Sequence, residues 1–109
     1  MKRSVSSSVR RQVGEALQII DVFDGAGFAF DFVIAELRGD HPTVMNRTSD
    51  RTYFVLEGRG TARVADETFE VQKDDLICIH AGMPHSISGN LRYIVVTAPP
   101  FDPANEEVF

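Results

Sequence analysis

The stretch from Gly39 to Gly58, GDHPTVMNRTSDRTYFVLEG, decides the fold. It opens as a glycine-led polar loop and runs into the most strand-like segment of the chain, Thr52-Tyr53-Phe54-Val55-Leu56. β-Branched and aromatic residues of this kind suit a pleated, half-buried surface. The run stops at Glu57-Gly58-Arg59-Gly60, a turn signal. Within it Arg51, Tyr53 and Val55 recur at a period of two and share one strand face.

Outward from this stretch the chain reads as short strands separated by Gly and Pro turns. Upstream, Phe28 to Leu37 alternates, with Phe28, Phe30, Phe32 and Ile34 on one face, and those phenylalanines are expected in the core. Before it, Leu17 to Phe23 is expected as a strand ended by Asp24-Gly25-Ala26-Gly27. Downstream, Thr61–Val64 and Thr68–Val71 flank a hairpin turn at Ala65-Asp66-Glu67. Leu76 to Ile79 is a short apolar strand, and another starts at His85. Gly89-Asn90 reads as a hairpin turn before Leu91–Thr97. The Ser-rich start is expected as a flexible arm over about residues 1–12, and the tail Phe101–Phe109 as a cover on the outside. With no convincing internal helix, this is a single all-β domain with its core over about residues 17–103.

Composition narrows the function. A chain of 109 residues with 43% hydrophobic and 25% charged residues fits one soluble globular domain. The net charge of −5 argues against nucleic acid, whose binding needs clustered cations; the basic residues Lys2, Arg3, Arg10 and Arg11 read as a solvated arm. No apolar run approaches the roughly 20 residues that span a bilayer, and no signal peptide is visible, so a cytoplasmic protein without membrane partners is expected. The single cysteine, Cys78, lies among Leu76, Ile77 and Ile79 and is expected to be buried and inert.

At these residues the chain resembles the cupins, small double-stranded β-helix (jelly-roll) barrels. Gly39 and Gly58 match the glycines that frame the first cupin motif at its shorter spacing, and YFVLEGRG matches the segment that closes it. Asp75, Gly82, Pro84 and His85 represent the second motif, and the likeness covers roughly residues 28–103. In metal-binding cupins two His and a Glu of the first motif join the His of the second around a divalent ion. The corresponding residues here are Met45, Arg47 and Arg51, and only His85 survives; the alternative spacing offers Val44 and Asn46. In the second motif His80 stands for Pro and Gly89 for the final Asn. A metal site needs three or four converging ligands, so no metal cofactor is expected, although His41, His80 and Asp50 are conceivable substitutes.

The resemblance therefore implies a metal-free pocket in the barrel mouth, with Met45, Arg47, Arg51, Tyr53 and His85 as ligand-binding residues. Forked guanidinium donors suit carboxylates and phosphates, so a small anionic metabolite, an organic acid or sugar phosphate, is the first expectation. Two alternatives stay open. One is an enzyme, either metal-dependent (dioxygenase type) or a His/Tyr acid–base isomerase or epimerase, with His85 and Tyr53 or Tyr93 as catalytic candidates. The other is a structural barrel without ligand, in which Arg51 pairs with Glu36, Asp50 or Glu57 at the rim. Exposed sheet edges and apolar faces suggest a homodimer.

Overall fold

The computed structural model describes all residues, 1–109, and its architecture rests on three long strands. The eight strands are β1 (Val9–Val13), β2 (Leu17–Phe23), β3 (Asp31–Asn46), β4 (Asp50–Val64), β5 (Glu67–Gln72), β6 (Leu76–Ile79), β7 (His85–Ala98) and β8 (Glu106–Val108). They form one antiparallel sheet in the order β1-β2-β3-β7-β4-β5, with β6 added to β4 and β8 added to β3. Strand β7 keeps β3 and β4 as neighbours along its whole length, whereas β3 and β4 each change their outer partner. The first part of β4 pairs with β6 and its last part with β5, while β3 pairs with β2 early and with β8 late. Strands that pass from one layer to the other close the sheet into a jelly roll. No helix is long and apolar enough to cross a membrane.

Glycines sit where the strands turn this corner. Gly39, Gly89 and Gly60 form one row across β3, β7 and β4, and neither Gly89 nor Gly60 has room for a side chain. A Cβ on Gly60 would meet the Ser88 carbonyl oxygen at 2.0 Å, and one on Gly89 the Arg59 carbonyl oxygen at 2.5 Å. Gly89 therefore serves a close backbone approach inside the continuous strand β7 and not the hairpin turn expected at Gly89-Asn90. Gly39 likewise lies within β3, and the polar turn comes later, between Asn46 and Asp50.

Other expectations are corrected by strand parity. The strand expected from Phe28 starts at Asp31, so Phe28 and Phe30 stay in the preceding loop, 52% and 39% exposed, edge-on against Phe23. The inward face of β3 carries Val33, Ala35 and Leu37 instead. On β6 the alternation buries Ile77 and Ile79 and turns Leu76 and Cys78 outward, so the thiol is exposed, not buried. Part of the expected arm is ordered: β1 pairs along its whole length with β2. The hairpin β4–β5, strand β2 from Leu17, and β6 form where expected. The core joins Leu17, Ile19, Ala35, Leu37, Tyr53, Val55, Ile77, Ile79, Ile87, Leu91 and Tyr93.

Candidate functional site

A cavity of about 310 Å³ opens at one end of this core. One wall is aliphatic, from Leu17, Ile19, Val33 and Val95. The same face continues across β7 onto β4, where alternation buries Arg51, Tyr53 and Val55 at 7%, 5% and 0% exposure and Arg51 and Tyr53 line the cavity. Tyr93, from β7, stands beside Tyr53 with ring centroids 5.1 Å apart. His41 enters from β3 just before that strand's irregularity, and the C-terminal segment supplies Phe101 and Glu106.

Arg51 is the centre of the polar network. Its Nη1 and Nη2 donate to Glu106 Oε2 and Oε1, each at 3.1 Å, a forked pair between largely buried side chains. Nη1 also donates to His85 Nε2 at 3.3 Å. Because a guanidinium only donates, His85 Nε2 is the acceptor, and the ring proton sits on Nδ1, which donates to the Met83 carbonyl at 2.9 Å. Asn46 completes the group: its Nδ2 donates to Glu106 Oε1 at 3.1 Å, while its Oδ1 accepts from the Ser49 and Thr48 amides at 2.8 and 3.1 Å. Phe101 stacks over the Arg51 guanidinium at 5.9 Å.

His41 is arranged differently. Its Nδ1 donates to the Pro42 carbonyl at 2.8 Å, which leaves Nε2 as the free acceptor of a ring that lines the cavity. Burial lowers its pKa, the Pro42 hydrogen bond opposes this, and the Arg51 charge lowers it further. The ring is thus held neutral, with Nε2 free to accept a proton. Burial also lowers the pKa of His85, with Arg51 again working in the same direction. Tyr53 moves the other way: burial pushes its hydroxyl up to about 12, partly offset by Arg51. Burial raises Tyr93 as well, so both phenols stay protonated and can donate at neutral pH.

Of the five residues expected at the site, Arg51 and Tyr53 line the cavity and three do not. His85 lies behind the guanidinium with both ring nitrogens engaged, so it orients Arg51 and has no lone pair for a ligand. Arg47 points outward, paired with Glu107 at 2.9 Å and donating to the Ala104 carbonyl, because it follows the end of β3. Met45 sits half-buried on the β3–β8 ladder opposite Glu107. The expected fixed positive charge is corrected too. Arg51 is neutralised by Glu106, a residue expected on the outside, and Arg11 and Arg51 in the lining face Asp21, Asp24, Asp31 and Glu106. Rim pairing of Arg51 with Glu36, Asp50 or Glu57 is not found; Glu36 pairs with Arg10 and Arg92.

The donor set does not fit a divalent ion. The surviving motif imidazole accepts from a cation at the position where a ligand would stand, and no group of three or more His, Cys, Asp or Glu converges anywhere. His80 lies at the surface, 3.8 Å from Asp50.

Comparison with known proteins places the chain. The family model described as Cupin domain matches residues 34–97. An uncharacterized protein of Methanocaldococcus jannaschii is 38% identical over 65 residues, covering 56% of this chain and 52% of its own length. An uncharacterized protein of Streptomyces coelicolor is 39% identical over 54 residues, 47% of this chain and 51% of that one. The chain thus spans about half the length of the curated relatives it matches. Among solved structures, the Streptomyces nucleoside dehydratase Pac13 superposes with a TM-score of 0.88 at 20% identity, covering all of this chain and 90% of its own. Three variants of that enzyme, one with a histidine replaced by glutamine and two with a tyrosine replaced by phenylalanine, are solved with uridine. Oxalate decarboxylase of Bacillus subtilis superposes with a TM-score of 0.82 at 17% identity, covering 97% of this chain and 31% of its own. At these identities the likeness is one of fold.

Proposed function

The chain belongs to the cupin family, and from that premise we propose that its cavity binds a small uncharged polyhydroxylated molecule of the sugar or nucleoside class and moves protons on it. His41 is the base, Tyr53 and Tyr93 are hydroxyl donors, and Arg51 steadies negative charge that develops on a substrate oxygen. The observation that carries this reading is the His41 ring, whose Nδ1–H is committed to Pro42 while Nε2 is left free in a cavity with two protonated tyrosines. A neutral imidazole suits proton abstraction at physiological pH, and a phenol with a raised pKa suits donation.

Charge supports a neutral ligand over the anion expected from sequence. While the tail is docked, Arg51 is matched by Glu106 and Arg11 by Asp21, so a lining of two arginines and four carboxylates offers a free anion no unpaired cation. The volume of about 310 Å³ is in the range of small-molecule sites. The Pac13 likeness supports the same class, because that enzyme's variants solved with uridine involve a histidine and two tyrosines, the residue types that meet in this cavity. The outward row of exposed Leu76 with half-buried Phe54 and Ile94 supports a homodimer as part of the proposal.

The test pairs binding with chemistry. Uridine and a panel of aldoses are screened by thermal shift, where a ligand at a hundred times its Kd stabilises by about 2.7 kcal/mol. Hits are then incubated in deuterated water and followed by NMR for deuterium entering carbon or for loss of water. His41→Gln is expected to keep binding and slow the exchange by about 10²–10⁴-fold, the usual contribution of a general base. If no neutral polyol stabilises the protein, or if His41→Gln exchanges at the unmodified rate, the reading is overturned.

A further inference from the structure

We propose that Arg51 and Asn46 form a carboxylate-binding site which the chain's own Glu106 occupies, and which a free small carboxylate can take over. Three donors converge on the Glu106 carboxylate: Arg51 Nη1 on Oε2, and Arg51 Nη2 and Asn46 Nδ2 on Oε1, all at 3.1 Å. A forked guanidinium with a flanking amide recognises a carboxylate by its shape as well as its charge.

The receptor and its occupant are held very differently. Arg51 lies within β4, which pairs on both sides, and His85 Nε2 fixes its Nη1. Asn46 is fixed by two backbone amides through its Oδ1. Neither arrangement depends on the tail. Glu106, by contrast, starts a three-residue strand paired on one edge only, Asn46↔Glu106 to Val44↔Val108. Short edge elements are the first to open, and an incoming carboxylate that meets Arg51 keeps the guanidinium compensated, so the occupant is the exchangeable partner. The body of an incoming acid would extend into the adjoining cavity, whose aliphatic wall suits a short organic acid. The site stands whether or not His41 acts as a base, since none of its groups has to give up a proton.

The test is replacement of the tail carboxylate by a soluble one. Glu106→Gln is melted in acetate and in chloride at equal ionic strength, at tens of millimolar because the tail competes at an effective concentration of the millimolar order. Acetate is expected to raise the melting temperature of Glu106→Gln well beyond chloride, while unmodified protein responds little. The Arg51→Gln, Glu106→Gln double variant is expected to show no difference between the two salts. Equal responses of Glu106→Gln to acetate and chloride, or an acetate effect that survives in the double variant, would overturn the proposal. If Glu106→Gln stays unfolded in both salts, the unmodified protein decides by hydrogen exchange of the Phe109 amide, which bonds to the Thr43 carbonyl while the tail is docked. Faster exchange in acetate than in chloride supports displacement of the tail, and equal exchange overturns it.

Discussion

Two arginine–glutamate pairs join the same two regions of the chain, and they differ in almost everything but composition. Arg47 meets Glu107 at 2.9 Å with both side chains 44% exposed, whereas Arg51 meets Glu106 at 3.1 Å with side chains 8% and 15% exposed. The glutamates are neighbours on β8, so strand alternation sends one outward and the other into the barrel mouth. In water an ion pair gains little, because each charge is solvated anyway. Inside, each charge has lost its water and depends on its partner, so removing one partner is costly even where the intact pair contributes little net stability. The outer pair staples the tail; the inner pair sets the charge of the site.

The largest effect is therefore expected from breaking the inner pair on one side. Glu106→Gln leaves a buried guanidinium with neutral acceptors only and should lower unfolding free energy by about 3–5 kcal/mol in urea titrations. A loss below about 1 kcal/mol would show that water reaches Arg51 freely and that the contrast with Arg47 is false. Removing both charges sharpens the point. In the Arg51→Leu, Glu106→Leu variant no buried charge is left uncompensated, and stability should return to that of the unmodified protein or exceed it by about 1–4 kcal/mol. Its cavity would have lost the guanidinium, so polyol binding should fall even where the fold is regained.

A pH titration separates the two regions without changing Glu106. His41 and His85 both face Arg51, and burial holds their folded pKa values below the ordinary 6.5. Above 6.5 they are neutral in both folded and unfolded chains and contribute no pH dependence. As pH falls below 6.5 the unfolded chain takes up protons that the folded chain refuses, so stability declines until the lower folded values are passed. The Arg47 pair has no histidine beside it. Urea melts from about pH 8 to about pH 5 should show this decline, and His85→Gln, whose side-chain oxygen can still accept from Arg51, should make it shallower. A profile flat across that range would mean that His85 is not held as an acceptor.

Much of the inner region was legible before the fold was seen. The period-two run Arg51, Tyr53, Val55 already specified an inward wall, because only alternation is needed to place it. Gly39 and Gly58 marked the frame, although as strand positions and not as a loop. His41 sat in plain view but looked like a loop residue before a proline; its Nδ1 bond to Pro42 is a local geometry that spacing does not encode. Glu106 was out of reach for a different reason. Its partner is 55 residues away, and a polar tail with no apolar periodicity carries no signal of which side chain will enter a barrel. The Phe28–Phe30 register failed because a two-glycine turn extends to Phe30 and delays the strand to Asp31, so the phenylalanines remain at the rim.

The smallest effect is expected at the outer pair, and it tests the comparison from the other side. Arg47→Ala removes the bond to Glu107 and the one to the Ala104 carbonyl, both at the surface, where water replaces them. The loss should be about 0.2–1 kcal/mol, within the range of exposed ion pairs. Because the β3–β8 ladder keeps its backbone pairing and Glu106 keeps Arg51, ligand affinity and the pH profile should not change. If Arg47→Ala instead cost as much as Glu106→Gln, the tail would be held chiefly from outside. The buried pair would then be a consequence of its docking and not the cause.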